Sequence, residues 1–217
     1  MKCQGKLPFQ IFPGIFSSID SMTKKVVAVH YQKYNRVPDW LKPFGPLGEP
    51  LPVPHHSKFQ TLDTKTNCLL TGTPDALFRR PDGTLVILDN KTSRFTNNQD
   101  KLLPMYATQV NAYARIAERI GMGRVSGLGL IYFEPLTDVD ASTIDSVVLD
   151  NGFAMKFNAK LLPLTLEPKS IPPLLRRVRA IHDLPTPPDG WTGCKDCLLL
   201  DGLVKIETSP KTKTSRI

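Results

Sequence analysis

The sequence lacks a long apolar segment. No stretch of it approaches the roughly 20 apolar residues that a helix needs to cross a bilayer. Its beginning also lacks the apolar core found in secretory signal peptides. These two absences argue against a membrane-spanning or exported chain. We therefore expect a cytoplasmic protein without a membrane partner.

Cysteine is scarce, and acidic residues are outnumbered by basic ones. Only four cysteines occur in 217 residues. Two of them form the pair Cys194-x-x-Cys197, which in a cytosolic chain indicates metal or redox chemistry before a structural disulfide. The chain has 28 Lys and Arg against 20 Asp and Glu, a formal net charge of +8. A basic balance suits a polyanionic partner such as nucleic acid.

One segment is too rich in proline for regular structure. Residues 37–57 hold six prolines and two glycines, which predicts a long connection rather than a helix or a central strand. His55 and His56 lie in this segment. Adjacent histidines rarely bind one ion together in regular structure, so a solvated loop is favoured over a metal pair.

Elsewhere the patterns are typical of an α/β domain. Apolar residues recur at three- and four-residue spacing over 17–34, 103–120 and 170–182, which predicts three helices. A strand that is apolar on both faces is predicted at 125–134. In the last helix the residues predicted to face the core are Leu174, Leu175, Val178 and Ile181. We expect one domain over 1–205, a mixed central sheet flanked by helices, followed by a basic disordered tail at 206–217.

Two aspartates and a lysine within residues 75–91 are predicted to converge. The β-like segments 69–80 and 84–91 flank the turn Pro81-Asp82-Gly83 and predict a hairpin. Because side chains alternate along a strand, Asp89 and Lys91 share a face, and Asp75 on the neighbouring strand can reach the same point. Two carboxylates there are hard ligands suited to Mg²⁺ or Mn²⁺. A lysine beside them can stabilise charge on a phosphoryl oxygen.

Two more polar residues lie on the predicted helix at 103–120. Gln109 and Tyr113 are four residues apart and therefore share one helix face. From there they can orient Lys91 or a substrate phosphate. Tyr113 also belongs to the apolar stripe of this helix, so a role in the core is the alternative for it.

Taken together, these residues resemble the motifs of the PD-(D/E)XK nuclease superfamily, in its RecB-type branch. The matching stretches are Gly72-x-x-Asp75, Asp89-Asn90-Lys91 and Gln109-x-x-x-Tyr113, so the resemblance covers about residues 70–115. It implies a restriction-endonuclease-like core. The alternative is a hairpin with solvated acidic ends and a surface lysine, followed by an amphipathic helix.

The resemblance also implies a division of labour in the site. Asp75, Asp89 and the Asn90 carbonyl would bind one or two Mg²⁺ or Mn²⁺ ions, and Lys91, Gln109 and Tyr113 would complete the catalytic set. RecB-type nucleases often carry a histidine early in the first helix, after a glycine. Here Ser17-Ser18 follow Gly14 instead, and Asp20 is the available substitute.

The cysteines extend the resemblance in part. Some RecB-type nucleases, among them a CRISPR-adaptation class and helicase-associated members, bind a [4Fe–4S] cluster. They use one cysteine near the N-terminus and three near the C-terminus. Cys3, Cys194 and Cys197 match three of these positions, and the fourth is missing. A cluster, a zinc ion completed by a histidine, and free thiols all stay open.

The sequence therefore predicts a metal-dependent DNA nuclease, exonuclease-like, that acts in DNA repair, recombination or defence. The expected partners are single- or double-stranded DNA ends and a helicase or integrase subunit. Two alternatives stay open: a module that binds nucleic acid without cleaving it, and a structural subunit of a larger DNA-processing complex.

Overall fold

The computed structural model describes residues 14–95, 101–138, 147–186 and 188–208. They divide into two compact units. The larger spans Pro13–Arg179, and the smaller contains the described residues from Ala180 onward. The single domain expected over 1–205 stays a prediction.

The elements of the described residues, in chain order, are as follows. The helices are α1 (Gly14–Tyr34), α2 (Leu103–Arg119), α3 (Ile171–His182) and α4 (Lys195–Thr208), with short 3-10 helices at Asp39–Phe44 and Pro168–Ser170. The strands are β1 (Pro50–Leu51), β2 (Gln60–Asp63), β3 (Cys68–Thr71), β4 (Ala76–Arg79), β5 (Leu85–Lys91), β6 (Val125–Pro135), β7 (Val148–Leu149), β8 (Gly152–Phe153) and β9 (Phe157–Leu164).

A five-stranded mixed sheet lies at the centre of the larger unit, in the order β1-β4-β5-β6-β9. The central pair β5 and β6 is parallel, and the other neighbours are antiparallel. Two further hairpins, β2–β3 and β7–β8, stand outside this sheet. The expected α/β class with a mixed central sheet and flanking helices is thereby confirmed.

The sheet is covered on both faces, which explains why its central strands are apolar throughout. All four residues of Leu85–Leu88 in β5 are buried. Alternate side chains enter two core clusters. On one face Leu85 and Ile87 pack with α2. On the other face Val86 and Leu88 pack with Val27 of α1 and with the 3-10 helix Asp39–Phe44. Strands buried on both faces show this continuous apolar pattern rather than alternation.

The proline-rich segment carries more structure than the sequence predicts. It contains the 3-10 helix Asp39–Phe44, whose Leu41 and Phe44 are buried in the core, and the edge strand β1. Proline lacks a backbone donor and is therefore tolerated at a sheet edge, where β1 begins with Pro50. The expectation that no central strand occurs here is therefore confirmed, whereas the expectation of no helix was wrong for the 3-10 helix.

The last predicted helix begins and ends close to where it was expected, but its buried face is narrower. Ile171 and Leu175 are buried, whereas Leu174, Val178 and Ile181 are exposed. In the larger unit, α3 packs near the β2–β3 hairpin, where Leu175 accepts a weak hydrogen bond from the Cys68 thiol. The predicted inward orientation is therefore confirmed for Leu175 and was wrong for Leu174, Val178 and Ile181.

The smaller unit contains a helix that the sequence did not predict. This helix, α4, follows Cys194 directly and continues to Thr208. The rest of the segment predicted as a tail lies outside the described residues. None of the helices described combines the length and the apolar character that a bilayer crossing requires.

Candidate active site

The first site residue, Asp75, lies where the chain passes from one sheet to another. The predicted strand 69–80 is in fact two strands: β3 pairs with β2, and β4 pairs with β5. Since Ala76 pairs with Leu88, the preceding residue comes to lie beside Asp89. Its Oδ2 accepts a hydrogen bond of 2.7 Å from the Asn90 backbone N–H, just beyond the last ladder pair of β4. The β5 backbone thus fixes Asp75.

Asp89 and Lys91 lie on the same face of β5, as their spacing predicts. The Lys91 Nζ is 2.5 Å from Asp89 Oδ2, and Asp89 is only 3% exposed. Burial raises the pKa of Asp89, and the neighbouring Asp75 carboxylate raises it further, while Lys91 opposes both effects. A carboxylate held in such surroundings gains from a cation at its free lone pairs.

Gln109, on α2, connects the strand residues to the helix. Its Nε2 donates to Asp89 Oδ1 at 3.2 Å and to the Tyr113 hydroxyl at 2.7 Å. Its Oε1 accepts from Lys91 Nζ at 3.3 Å. One amide therefore contacts a carboxylate, an ammonium and a phenol at once, and the orienting role of this helix face stays a prediction.

Tyr106 is a member of this group that the sequence analysis did not single out. The Lys91 Nζ lies 4.0 Å from the centroid of the Tyr106 ring, a cation–π distance. Tyr106 precedes Gln109 by three residues and so lies on the same helix face. An aromatic residue three positions before Gln109, on the same helix face, is the sequence feature that could have identified Tyr106.

Tyr113 belongs to the core and also contacts the polar group. Its ring is buried, packs edge-to-face on Phe59 at 6.1 Å and covers Gly72. Its hydroxyl reaches Gln109. Burial raises the pKa of Tyr113 above its usual value, with smaller contributions from the charges of Asp89 and Asp75, so the phenol stays protonated at neutral pH.

The glycine of the Gly72-x-x-Asp75 motif is explained by this ring. A Cβ at position 72 would lie 2.4 Å from Tyr113 Cε1. We expect Gly72→Ala to displace the ring and destabilise the fold by about 1–3 kcal/mol, measurable by thermal unfolding. Gly152→Ala is the control, because its Cβ meets nothing within 4 Å. Equal stability of the two variants would contradict this packing argument.

Lys24 of α1 is a second residue that sequence reasoning missed. Its Nζ lies 3.0 Å from Asp75 Oδ1 and 2.7 Å from Asp20 Oδ2. Burial works to lower the pKa of Lys24, but hydrogen bonds and charges from Asp20 and Asp75 outweigh it and raise the pKa. The Asp20–Lys24 pair is visible in the sequence as an i,i+4 pair. Its link to Asp75 depends on tertiary structure.

The donor set fits a hard divalent ion of the kind that the resemblance implies. Asp75 and Asp89 provide carboxylate oxygens on one side of the sheet end, and Mg²⁺ is commonly held by one or two carboxylates together with waters and substrate phosphates. Each carboxylate oxygen has further lone-pair capacity beyond the single partner described above. Among the described residues, no three His, Cys, Asp or Glu side chains are grouped to hold a metal ion.

Other predicted residues lie apart from this group or outside the described residues. His55 and His56 are exposed, with ring centroids 3.9 Å apart. Arg94, which follows β5, donates to Thr137 Oγ1 at 3.2 Å.

The C-x-x-C pair lies at the start of α4 in the smaller unit. The Cys197 backbone N–H donates to Cys194 Sγ at 3.5 Å, and this bond is the main reason why the pKa of Cys194 is lowered. Both thiols are free, as is Cys68. Cys3 lies outside the described residues, so the iron–sulfur and zinc expectations stay predictions.

Comparison of the chain with models of known protein families gives no match. A search of curated protein sequences gives no match either.

Proposed function

We propose that this chain is a metal-dependent DNA nuclease with a restriction-endonuclease-like core. The observation that carries the proposal is one connected cluster: Asp75, Asp89 and Lys91 at the end of β5, joined through Gln109 to Tyr113 on α2. Separate stretches of the chain supply these residues. The combination of paired acids, a lysine and an orienting amide is suited to phosphodiester hydrolysis.

Each side chain has a distinct task in this proposal. Asp75 and Asp89, with the Asn90 carbonyl, would hold Mg²⁺ or Mn²⁺. An ion bound there would supply Lewis acidity at the scissile phosphate and a more acidic water. Lys91 places a positive charge where the phosphorane develops negative charge.

The remaining residues position that lysine. Gln109 and Tyr106 restrict where the ammonium can lie, and Tyr113 holds Gln109 through its hydroxyl. A fixed ammonium stabilises a transition state better than a mobile one, because no reorganisation is needed at the moment of reaction.

DNA is the substrate that the charge favours. The formal net charge of +8 suits a polyanion. We propose digestion from DNA ends, within repair, recombination or defence, with a helicase or integrase subunit as the associated protein.

The direct test is cleavage of end-labelled single- and double-stranded DNA with Mg²⁺, Mn²⁺ or EDTA. We expect metal-dependent loss of label with the wild-type chain and none with Asp75→Asn, which keeps the shape of the side chain but removes its charge. Asp150→Asn, in the exposed turn between β7 and β8, is the matched control and should cleave normally. Cleavage by Asp75→Asn at the wild-type rate would refute the proposed site.

A second candidate function is nucleic-acid binding without cleavage. The contact of Lys24 with Asp75 favours it, because a resident ammonium neutralises one of the two metal-binding carboxylates. Under this function the folded chain binds DNA equally well in EDTA and in Mg²⁺ and releases no product in either.

A further inference from the structure

The carboxylate of Asp75 is paired with a cationic side chain. Lys24 reaches it from α1, with its Nζ 3.0 Å from Asp75 Oδ1. The opposite oxygen, Oδ2, is taken by the Asn90 backbone N–H. Oδ1 is therefore the oxygen more available to a divalent ion. It is also the oxygen that pairs with the Lys24 ammonium.

Lys24 also has a second carboxylate partner, which lies on its own helix. Asp20 Oδ2 is 2.7 Å from Nζ and precedes Lys24 by one turn. The ammonium thus bridges two acids. If the Lys24 ammonium releases Asp75, it keeps a counter-charge, since its pair with Asp20 on α1 can persist by itself.

Open space lies beside Lys24 into which its side chain can move. Its side chain is 41% exposed, and it borders a groove of about 560 Å³ along α1. Among the described residues, those lining this groove are Asp20, Ser21, Lys24, Lys25, Ala28, Val29 and Gln32. An ammonium that releases Asp75 can therefore return to water while its stem remains against the helix.

We propose that Lys24 is an internal counter-ion that competes with the divalent metal for Asp75 and thereby sets the metal affinity of the site. The proposal rests on the proposed function, since it takes Asp75 to be a metal ligand. Lys24 is a positioning residue: in the metal-free protein it keeps the Asp75 carboxylate in place, and a dication must displace it.

Competition and a purely structural role predict opposite changes in metal affinity. If Lys24 only braced Asp75, removing it would loosen a ligand and weaken metal binding. If Lys24 competes, removing it abolishes the repulsion between two cations at one carboxylate and strengthens metal binding. The sign of the change therefore separates the two roles.

The test is Mn²⁺ titration of the full chain, with free Mn²⁺ followed by electron paramagnetic resonance. We expect Lys24→Met to bind Mn²⁺ about tenfold more tightly than wild type, because a positive charge next to the ligand is lost. Lys24→Arg retains the charge and should stay near the wild-type affinity.

Lys25→Met is the matched control. It removes the same charge from the next residue of the same groove, where the side chain is exposed. We expect its Mn²⁺ affinity to stay within about twofold of wild type, because Lys24 makes the ion pair with Asp75, and an exposed charge outside that pair is screened.

Each outcome decides the matter. Tighter binding by Lys24→Met and not by Lys25→Met supports the proposal, even if no variant cleaves DNA, in which case the nuclease function fails alone. Unchanged or weaker binding by Lys24→Met overturns it. If wild type binds Mn²⁺ and cleaves while Asp75→Asn does neither, the nuclease function then stands without it. Absence of Mn²⁺ binding in both wild type and Lys24→Met overturns the two together.

Discussion

Lys91→Ala is expected to lower the rate of metal-dependent DNA cleavage by at least about a hundredfold, the usual effect of removing one charge stabiliser from an active site. The side chain is only 16% exposed and lies 2.5 Å from Asp89 Oδ2. It is held by Gln109 and the Tyr106 ring. Water that enters in its place supplies no fixed positive charge. Single-turnover cleavage of end-labelled DNA at saturating Mg²⁺ measures the effect.

Lys160→Ala is the control that matches this variant most closely. Lys160 also lies over an aromatic ring, 3.9 Å from the centroid of Phe95. It lies on β9, where it pairs in register with Tyr132, the β6 partner of Lys91. We expect this variant to cleave within a few-fold of wild type, as surface charges are worth little. Similar losses in both variants would mean that general positive charge, and not Lys91, drives the reaction.

The fold must survive for the comparison to be valid. Lys91 follows the buried run Leu85–Leu88 of β5 and contributes no apolar side chain to it. Its removal leaves the buried Asp89 carboxylate without its cation, so we expect a lower melting temperature with the fold retained. Circular dichroism of both lysine variants checks this, and a variant that is unfolded is replaced by Lys91→Met, which keeps the stem.

Local patterns were sufficient to predict the elements that carry the site. Helices α1 and α2 were predicted within about three residues at each end, because the apolar periodicity that predicts them lies within the segments themselves. The β4–β5 hairpin followed from a turn with suitable chemistry. Since Asp89, Lys91, Gln109 and Tyr113 are positioned by these elements, their convergence was predictable too.

Features that depend on distant packing were not predictable in this way. The stretch 69–80 looks like one strand, but its first part pairs with β2 and its second with β5. Gly72 and Pro74 lie at that division, and proline interrupts a strand, but the reason for the glycine, the ring of Tyr113, is not local. Likewise, α3 has an apolar stripe that predicts burial. How much of it is covered depends on which elements pack against it.

Lys24 shows the same limit for the site itself. Its pairing with Asp20 is local, whereas its contact with Asp75 spans about fifty residues of sequence and requires α1 to lie across the end of β5. Residue type and spacing alone identified Asp75, Asp89 and Lys91 as a group that converges. They could not show that a second lysine already neutralises one of the acids.

Asp89→Asn is expected to lower the rate of metal-dependent cleavage by at least about a hundredfold. The same substitution is expected to stabilise the metal-free protein. The amide keeps the acceptor for Gln109 but loses the charge that binds the metal. Asp89 is buried beside Asp75, and burial first, then that charge, raises its pKa. Removing a carboxylate in such a place relieves repulsion that the fold otherwise tolerates for function.

The sign of the stability change depends on pH. Because the folded-state pKa of Asp89 lies above its unfolded value, the protonated carboxyl favours folding, and that contribution is lost as the pH rises through the folded pKa. We therefore expect the melting temperature of Asp89→Asn in EDTA to exceed that of wild type by about 2–4 °C at neutral pH, the shift that about 1 kcal/mol gives in a chain of this size. The difference should shrink as the pH falls and Asp89 becomes protonated.

Asp150→Asn, in an exposed turn, should show no such difference at any pH. If Asp89→Asn is less stable than wild type at neutral pH, the ion pair with Lys91 outweighs burial and the repulsion from Asp75, and the carboxylate is held for the fold rather than for a metal.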